Sequence, residues 1–196
     1  NTTADYNTAV GQRALLLSAT GASNSAVGGL ALDANTTGAS NTAMGVNSLG
    51  ANTTADNNTA FGKDTLKVNT TGASNTAVGS LVLDSNTTGN NNTGIGLNAL
   101  GLNTTGGQNV AVGDNALAAN TTATYNTAVG TSALLFNTTG TQNVAIGAFT
   151  LDSNTTGDYN TALGYQALRQ NETADNNTGI GYRALLSNTT GGLNVA

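Results

Sequence analysis

The chain has 196 residues, of which 8% are charged, and its formal net charge is −5. Five Lys and Arg residues against ten acids leave no basic surface for nucleic acid or an anionic membrane, which both depend on clustered cations. The absence of Cys, His, Pro and Trp excludes disulfides, thiol chemistry and histidine catalysis.

The whole chain repeats one unit of 17 residues, N-T-T-G-x-x-N-T-A-V-G-x-x-A-L-x-x. Rows of this length begin at residues 1, 18, 35, 52, 69, 86, 103, 120, 137, 154, 171 and 188, without insertion or deletion. Positions 1 to 17 of the repeat are counted from these starts. A fixed short period indicates a stacked array in which each unit contacts only its neighbours. We predict one continuous array over residues 1–196, about 11.5 coils that form a window of a longer chain.

Asn-Thr-Thr opens most rows, and position 3 is Thr in all twelve. A residue that recurs in stacked coils lies above itself, so this Thr forms a ladder; a flat row of Thr hydroxyls and methyls is also a surface that could order water against ice. The same triplet is an N-x-T glycosylation sequon, and the chain holds fourteen, counting Asn57, Asn91 and Asn176. We favour a role in turns and ladders, because Asn tolerates the left-handed conformation.

Position 7 is Asn in every row, which predicts a structural ladder of side-chain amides hydrogen-bonded along the stack, as in cross-β arrays. Its members are Asn7, Asn24, Asn41, Asn58, Asn75, Asn92, Asn109, Asn126, Asn143, Asn160, Asn177 and Asn194.

The segment N-T-A-V-G at positions 7 to 11 is rich in β-branched residues, chiefly Thr at position 8 and Val or Ile at position 10. A second short apolar run surrounds the Ala-Leu of positions 14 and 15. Helix is disfavoured because Gly, Asn and Thr are poor helix formers. We predict an all-β parallel solenoid with two short strands per coil. Gly at position 11 marks a turn. These glycines are Gly11, Gly28, Gly45, Gly62, Gly79, Gly96, Gly113, Gly130, Gly147, Gly164 and Gly181.

Positions 10 and 15 carry the large apolar residues of each row and are the predicted core. A disordered chain has no reason to keep apolar residues in register, so this pattern argues against disorder. Position 10 contributes Val10, Val27, Met44, Phe61, Val78, Ile95, Val112, Val129, Ile146, Leu163 and Ile180. Position 15 contributes Leu15, Leu32, Leu49, Leu66, Leu83, Leu100, Leu117, Leu134, Leu151, Leu168 and Leu185.

Charged and aromatic residues are the main departures from the repeat. At position 16, Lys67 precedes Asp84 and Asp152 precedes Arg169 by one row, which predicts two ion pairs between coils. Asp158 and Asp175 share position 5 of consecutive rows, where like charges are unfavourable unless they are solvated or bridged by a cation. Tyr165 and Tyr182 share position 12 and predict an aromatic ladder.

The variants N-V-A-V-G (109–113) and N-V-A-I-G (143–147) resemble the S-V-A-I-G core of the YadA-like head repeats of trimeric autotransporter adhesins. The wider unit is similar to repeats of bacterial surface and tail-fibre-like proteins. This resemblance covers the whole chain and implies a left-handed parallel β-roll that assembles as a trimer and carries adhesion at the cell surface. It also implies that Val110 and Val112, and by extension Thr8 and Val10, point into the coil. The repeat of the heads is shorter, at about 14 residues.

These observations favour a non-catalytic, extracellular fibre or adhesin segment that presents a rigid rod at the cell surface. The alternatives are a structural subunit of an extracellular filament or matrix, and an ice-binding solenoid. We expect no cofactor, no metal site and no nucleic acid partner. Self-association as a homotrimer or filament is expected, and a surface receptor is possible. The longest apolar runs are too short to cross a bilayer, so direct membrane insertion of this segment is not expected.

Overall fold

The computed structural model describes residues 4–196, in which each row of 17 residues forms one coil of a parallel β-solenoid. Positions 8 to 10 of eleven successive rows form three-residue strands, and the described residues contain no helix. The strands are β1 Thr8–Val10, β2 Ser25–Val27, β3 Thr42–Met44, β4 Thr59–Phe61, β5 Thr76–Val78, β6 Thr93–Ile95, β7 Val110–Val112, β8 Thr127–Val129, β9 Val144–Ile146, β10 Thr161–Leu163 and β11 Thr178–Ile180.

All eleven strands form one parallel sheet in chain order, from β1 to β11. Each residue pairs with the residue at the same position of the next row, as Thr76 does with Thr93 and Val78 with Ile95. The backbone continues this pairing outside the strands, since the Leu49 N–H donates to the Thr65 carbonyl at 3.0 Å and the Thr36 N–H to the Thr53 carbonyl at 2.9 Å. The predicted fold class, an all-β parallel solenoid with one coil per row, is confirmed.

The predicted second strand around positions 14 and 15 does not form in the described residues. Position 15 is Leu with φ between 50° and 55° in all eleven rows, and position 13 is also left-handed throughout. Left-handed residues cannot continue a strand, so this side of the coil is a series of tight turns. The turn begins at the position 11 glycine, such as Gly79 with φ 132°, where an added Cβ would lie 2.4 Å from the Gly96 carbonyl oxygen.

The core is narrower than predicted: each coil contributes one Leu, and Val82 is a further fully buried apolar side chain in the coil of Leu83. The position 15 leucines from Leu32 to Leu168 are fully buried. Leu15 exposes only 8% of its surface, and Leu185 is partly buried against the same cluster. Small residues surround them: position 9 is buried Ala or Gly from β2 onward, and position 14 is Ala, Ser, Thr or Val. Buried Asn side chains at positions 1 and 7 complete the interior.

The predicted core at position 10 is wrong, because none of its eleven side chains is buried. These residues are Val10, Val27, Met44, Phe61, Val78, Ile95, Val112, Val129, Ile146, Leu163 and Ile180. Neighbouring strand residues point to opposite faces, so burying the Ala of position 9 turns positions 8 and 10 outward. Thr8, Val10 and Val110 are accordingly exposed and Val112 is only half-buried, contrary to the inward orientation that the family resemblance implied. The small interior accepts Ala and excludes the larger residue next to it.

We expect Leu83→Ala to lower the free energy of unfolding by about 2 to 5 kcal/mol, because it opens a cavity in a fully buried site. Val78→Ala in the same coil should cost the isolated rod less than about 1 kcal/mol, since Val78 already exposes 37% of its surface. Urea unfolding of the two variants checks the comparison. Equal losses would contradict this assignment of the core.

Candidate functional surface

The described residues enclose no pocket. Their Asp and Glu side chains form no group of three or more that could hold a metal ion. The described part of the chain has no helix long and apolar enough to cross a membrane. Candidate sites are therefore outer faces of the rod.

The position 7 asparagines hold neighbouring coils in register. The Asn58 Oδ1 accepts the backbone N–H of Asn75 at 2.9 Å, and the Asn58 Nδ2 donates to the Gly72 carbonyl of the next coil at 2.9 Å. The same pair of bonds recurs along the stack, as for Asn126 with Asn143 and Gly140. The predicted Asn ladder is confirmed. It is buried from Asn24 to Asn177, where a displaced amide has no water to bind.

A second Asn ladder lies at position 1, where the repeat pattern favoured a role in turns and ladders. The Asn86 Nδ2 donates to the Asn69 Oδ1 of the preceding coil at 2.8 Å and to the Gly89 carbonyl of its own coil at 3.1 Å. The Gly89 carbonyl also accepts from the Asn75 Nδ2 at 2.9 Å. Each position 4 carbonyl in such coils joins the two ladders. The recurrence of Asn at the row starts is the sequence pattern that indicates this second ladder.

These ladders decide which sequons are accessible. The row-start asparagines from Asn35 to Asn171 are fully buried. Their side-chain Nδ2 groups donate hydrogen bonds to the position 4 carbonyls of their own coils. Asn57, Asn91 and Asn176 are exposed at position 6, where φ lies between 58° and 61°. Asn1 and Thr3 lie outside the described residues.

The outward side chains at positions 8 and 10 of β1 to β11 form the surface that we call the strand face. Position 10 is apolar in all eleven strands, and position 8 is Thr or Ser except at Val110 and Val144. No residue of either rank is charged. The strand face runs along all eleven strands, whereas the predicted core placed its position 10 residues inside the coil.

A second regular surface is the row of position 3 threonines from Thr20 to Thr190, all of which are exposed. The position 2 threonines beside them are more buried and bind along the stack, as when the Thr87 Oγ1 donates to the Thr104 carbonyl at 3.1 Å. The expected Thr row is therefore a single file of outward side chains.

The aspartates at position 5 bind the backbone of the preceding coil rather than one another. The Asp158 Oδ1 accepts the Thr141 N–H at 2.6 Å, and the Asp175 Oδ1 accepts the Asp158 N–H at 2.7 Å. Each carboxylate thus binds the backbone of the preceding coil, which explains why like charges tolerate this stacking. Asp56 and Asn90 make the same bond at position 5, a role that the repeat pattern did not predict.

The two predicted ion pairs have different outcomes. Arg169 binds Asp152 at 3.1 Å, as predicted. Lys67 instead lies 3.9 Å from Asp64, to which Lys63 also binds at 3.2 Å. A hydrogen bond from the Asn47 amide, helped by the two lysines, lowers the pKa of Asp64, whereas burial raises the pKa of Asp84. Lys67 thus pairs with a carboxylate of its own coil rather than with Asp84 of the next coil.

The predicted aromatic ladder is present. The Tyr165 and Tyr182 rings stack with centroids 5.7 Å apart, and Phe149 meets Tyr165 edge to face at 6.1 Å. Arg183 lies over Tyr182, with its guanidinium carbon 5.7 Å from the ring centroid. Tyr165 and Tyr182 nevertheless expose 44% and 72% of their surfaces.

We expect Asn92→Ala to lower the free energy of unfolding by about 1 to 3 kcal/mol, because the buried Asn109 N–H loses its acceptor. Asn91→Ser is the matched control, since Ser23, Ser40 and Ser74 occupy the same exposed position in other rows. Thermal unfolding of both variants measures the difference. A loss in the control as large as that in Asn92→Ala would contradict the role of the ladder.

No protein-family model matches the chain, and neither the curated proteins nor the solved structures include a significant match to it.

Proposed function

We propose that this chain is a rigid segment of an extracellular fibre, a shaft or adhesin that presents a rod at the cell surface. The observation that carries the proposal is the unbroken in-register stacking of all eleven strands in one parallel sheet. A stack without insertions repeats one contact between neighbours along its whole length. It therefore has no hinge at which the rod could bend.

The bonds between coils support the proposed stiffness. Neighbouring coils share backbone hydrogen bonds in the strands and in the turns, and the two Asn ladders lie inside. With a spacing of about 4.8 Å between strands, eleven strands span about 50 Å. Because the outward positions 6 and 12 vary among rows while the buried positions 7 and 15 repeat, the rod suits the display of different side chains at fixed intervals.

The resemblance to YadA-like heads and tail-fibre-like repeats supports the extracellular location and the adhesive role. A structural subunit of an extracellular filament or matrix would use the same rod without a receptor. The two differ in whether the isolated rod binds cell surfaces or only joins its own kind.

Small-angle X-ray scattering and negative-stain electron microscopy of the purified chain test the proposal. We expect unbranched rods about 50 Å long, with the length proportional to the number of rows in variants that lack two or four central rows. Compact particles whose length does not follow the number of rows would contradict a fibre segment.

The single file of exposed threonines at position 3 favours an ice-binding solenoid as a second candidate. If this row binds ice, the rod inhibits ice recrystallisation, and Thr71→Lys with Thr88→Lys abolishes the effect without unfolding the chain. Ser74→Lys with Asn91→Lys, at exposed position 6 of the same two coils, is the control. Unhindered growth of ice in the presence of the wild-type rod would contradict this candidate.

A further inference from the structure

Position 10 of the strand face is apolar in every strand, where a free rod would be expected to be polar. Val78, Ile95 and Ile146 expose 37%, 39% and 39% of their surfaces, and Val10 and Ile180 expose 58% each. All fifteen charged residues of the chain lie outside positions 8 and 10. A contiguous uncharged surface of this kind, with charges only on the surrounding faces, is typical of an interface.

The size of the strand face fits a stable protein contact. Eleven strands about 4.8 Å apart and three residues wide, at about 3.3 Å per residue, cover about 500 Å². Two such faces in contact bury about 1,000 Å², which is near the lower bound for a specific interface. Packing two sheets face to face is a standard arrangement, with the side chains interdigitating between them.

The spacing of the strand face selects the partner. Every strand pairs in register with its neighbours, so the ranks at positions 8 and 10 repeat once per coil along the whole rod. A second copy of this chain has the same period and makes the same contact at every coil. A partner of another period would lose register within a few coils.

The alternative occupant, ice, requires a flat surface along the whole face. Met44 and Phe61 stand in consecutive strands, and Phe61 exposes 47% of its large side chain. Val110 and Val144 further interrupt the rank of hydroxyls. Side chains of unequal height suit interdigitation between two protein faces.

We propose that the strand face binds the strand face of another copy of this chain, so that rods associate side by side. The inference rests on the proposed fibre function and names the partner of that fibre. Association buries position 10 between rods, so these residues form a second core that exists only in the assembly.

Light scattering measures the native mass of the wild-type rod and of the double variant Ile95→Asp with Val129→Asp. We expect two or more copies for the wild type and a single chain for the variant, with an unchanged circular dichroism spectrum. Leu97→Asp with Leu102→Asp is the control, because these exposed leucines lie off the strand face in coils of the same region. The control should keep the wild-type mass.

A cysteine variant tests the same contact without added charge. The chain has no Cys, so an added one has no other thiol to pair with in its own chain. Thr93 lies in β6, the central strand of the sheet. This strand lies opposite its counterpart whether the two rods pair in parallel or antiparallel orientation. Thr93→Cys should form a disulfide between copies when it is treated with diamide as the oxidant, whereas Leu97→Cys should not.

A wild-type rod that stays a single chain at every concentration, or an assembly that survives the strand-face variant, would overturn the inference. So would a single-chain rod whose inhibition of ice growth is lost on Ile95→Asp with Val129→Asp. Electron microscopy of the same samples separates the two proposals: unassociated rods of the expected length refute the inference alone, whereas the absence of rods refutes the fibre function.

Discussion

The close approach of identical backbone segments in neighbouring coils is the constraint on which the rest of the structure depends. At position 11, a Cβ added to any glycine from Gly11 to Gly164 would lie 2.1 to 2.8 Å from the backbone of the next coil. Such a distance excludes every side chain, and the φ of these glycines, between 125° and 140°, is equally unfavourable for other residues. The same proximity places each Asn amide within bonding distance of its counterpart. Invariance within the chain is therefore a consequence of stacking.

The turns carry backbone strain that the interior offsets. Positions 6, 13 and 15 are left-handed in every described row where they occur, although only a minority of these residues are Asn. A left-handed conformation costs an ordinary residue about 1 to 2 kcal/mol. Leu at position 15 is the clearest case, since the turn that strains its backbone also directs its side chain into the apolar interior of the coil. Burial of that side chain, at roughly 1.5 to 3 kcal/mol, offsets a strain of similar size.

Periodicity predicted the solenoid, the coil length, the Leu rank and the Asn ladder of position 7, because each depends on recurrence alone. The orientation of the strands depends on the volume inside the coil, which recurrence does not reveal. Val78 is more hydrophobic than Ala77, and this ranking favoured Val78 for the core. Leu83, Val82 and Asn75 are fully buried in this coil, so the small Ala77 fits inside and the larger Val78 does not. The second strand failed for a related reason, since no sequence rule predicts Leu in a left-handed turn.

The hydrogen bonds between coils run along the long axis of the rod, which determines how it responds to tension. A force that pulls on the two ends acts on the contacts between successive coils one after another. The coils therefore detach from the stack one at a time. Each detached coil lengthens the chain from about 4.8 Å to about 58 Å, the extended length of its 17 residues. Because the coils are nearly identical, they yield at similar forces and release equal lengths. The rod thus extends in uniform steps and limits the peak load on whatever it connects.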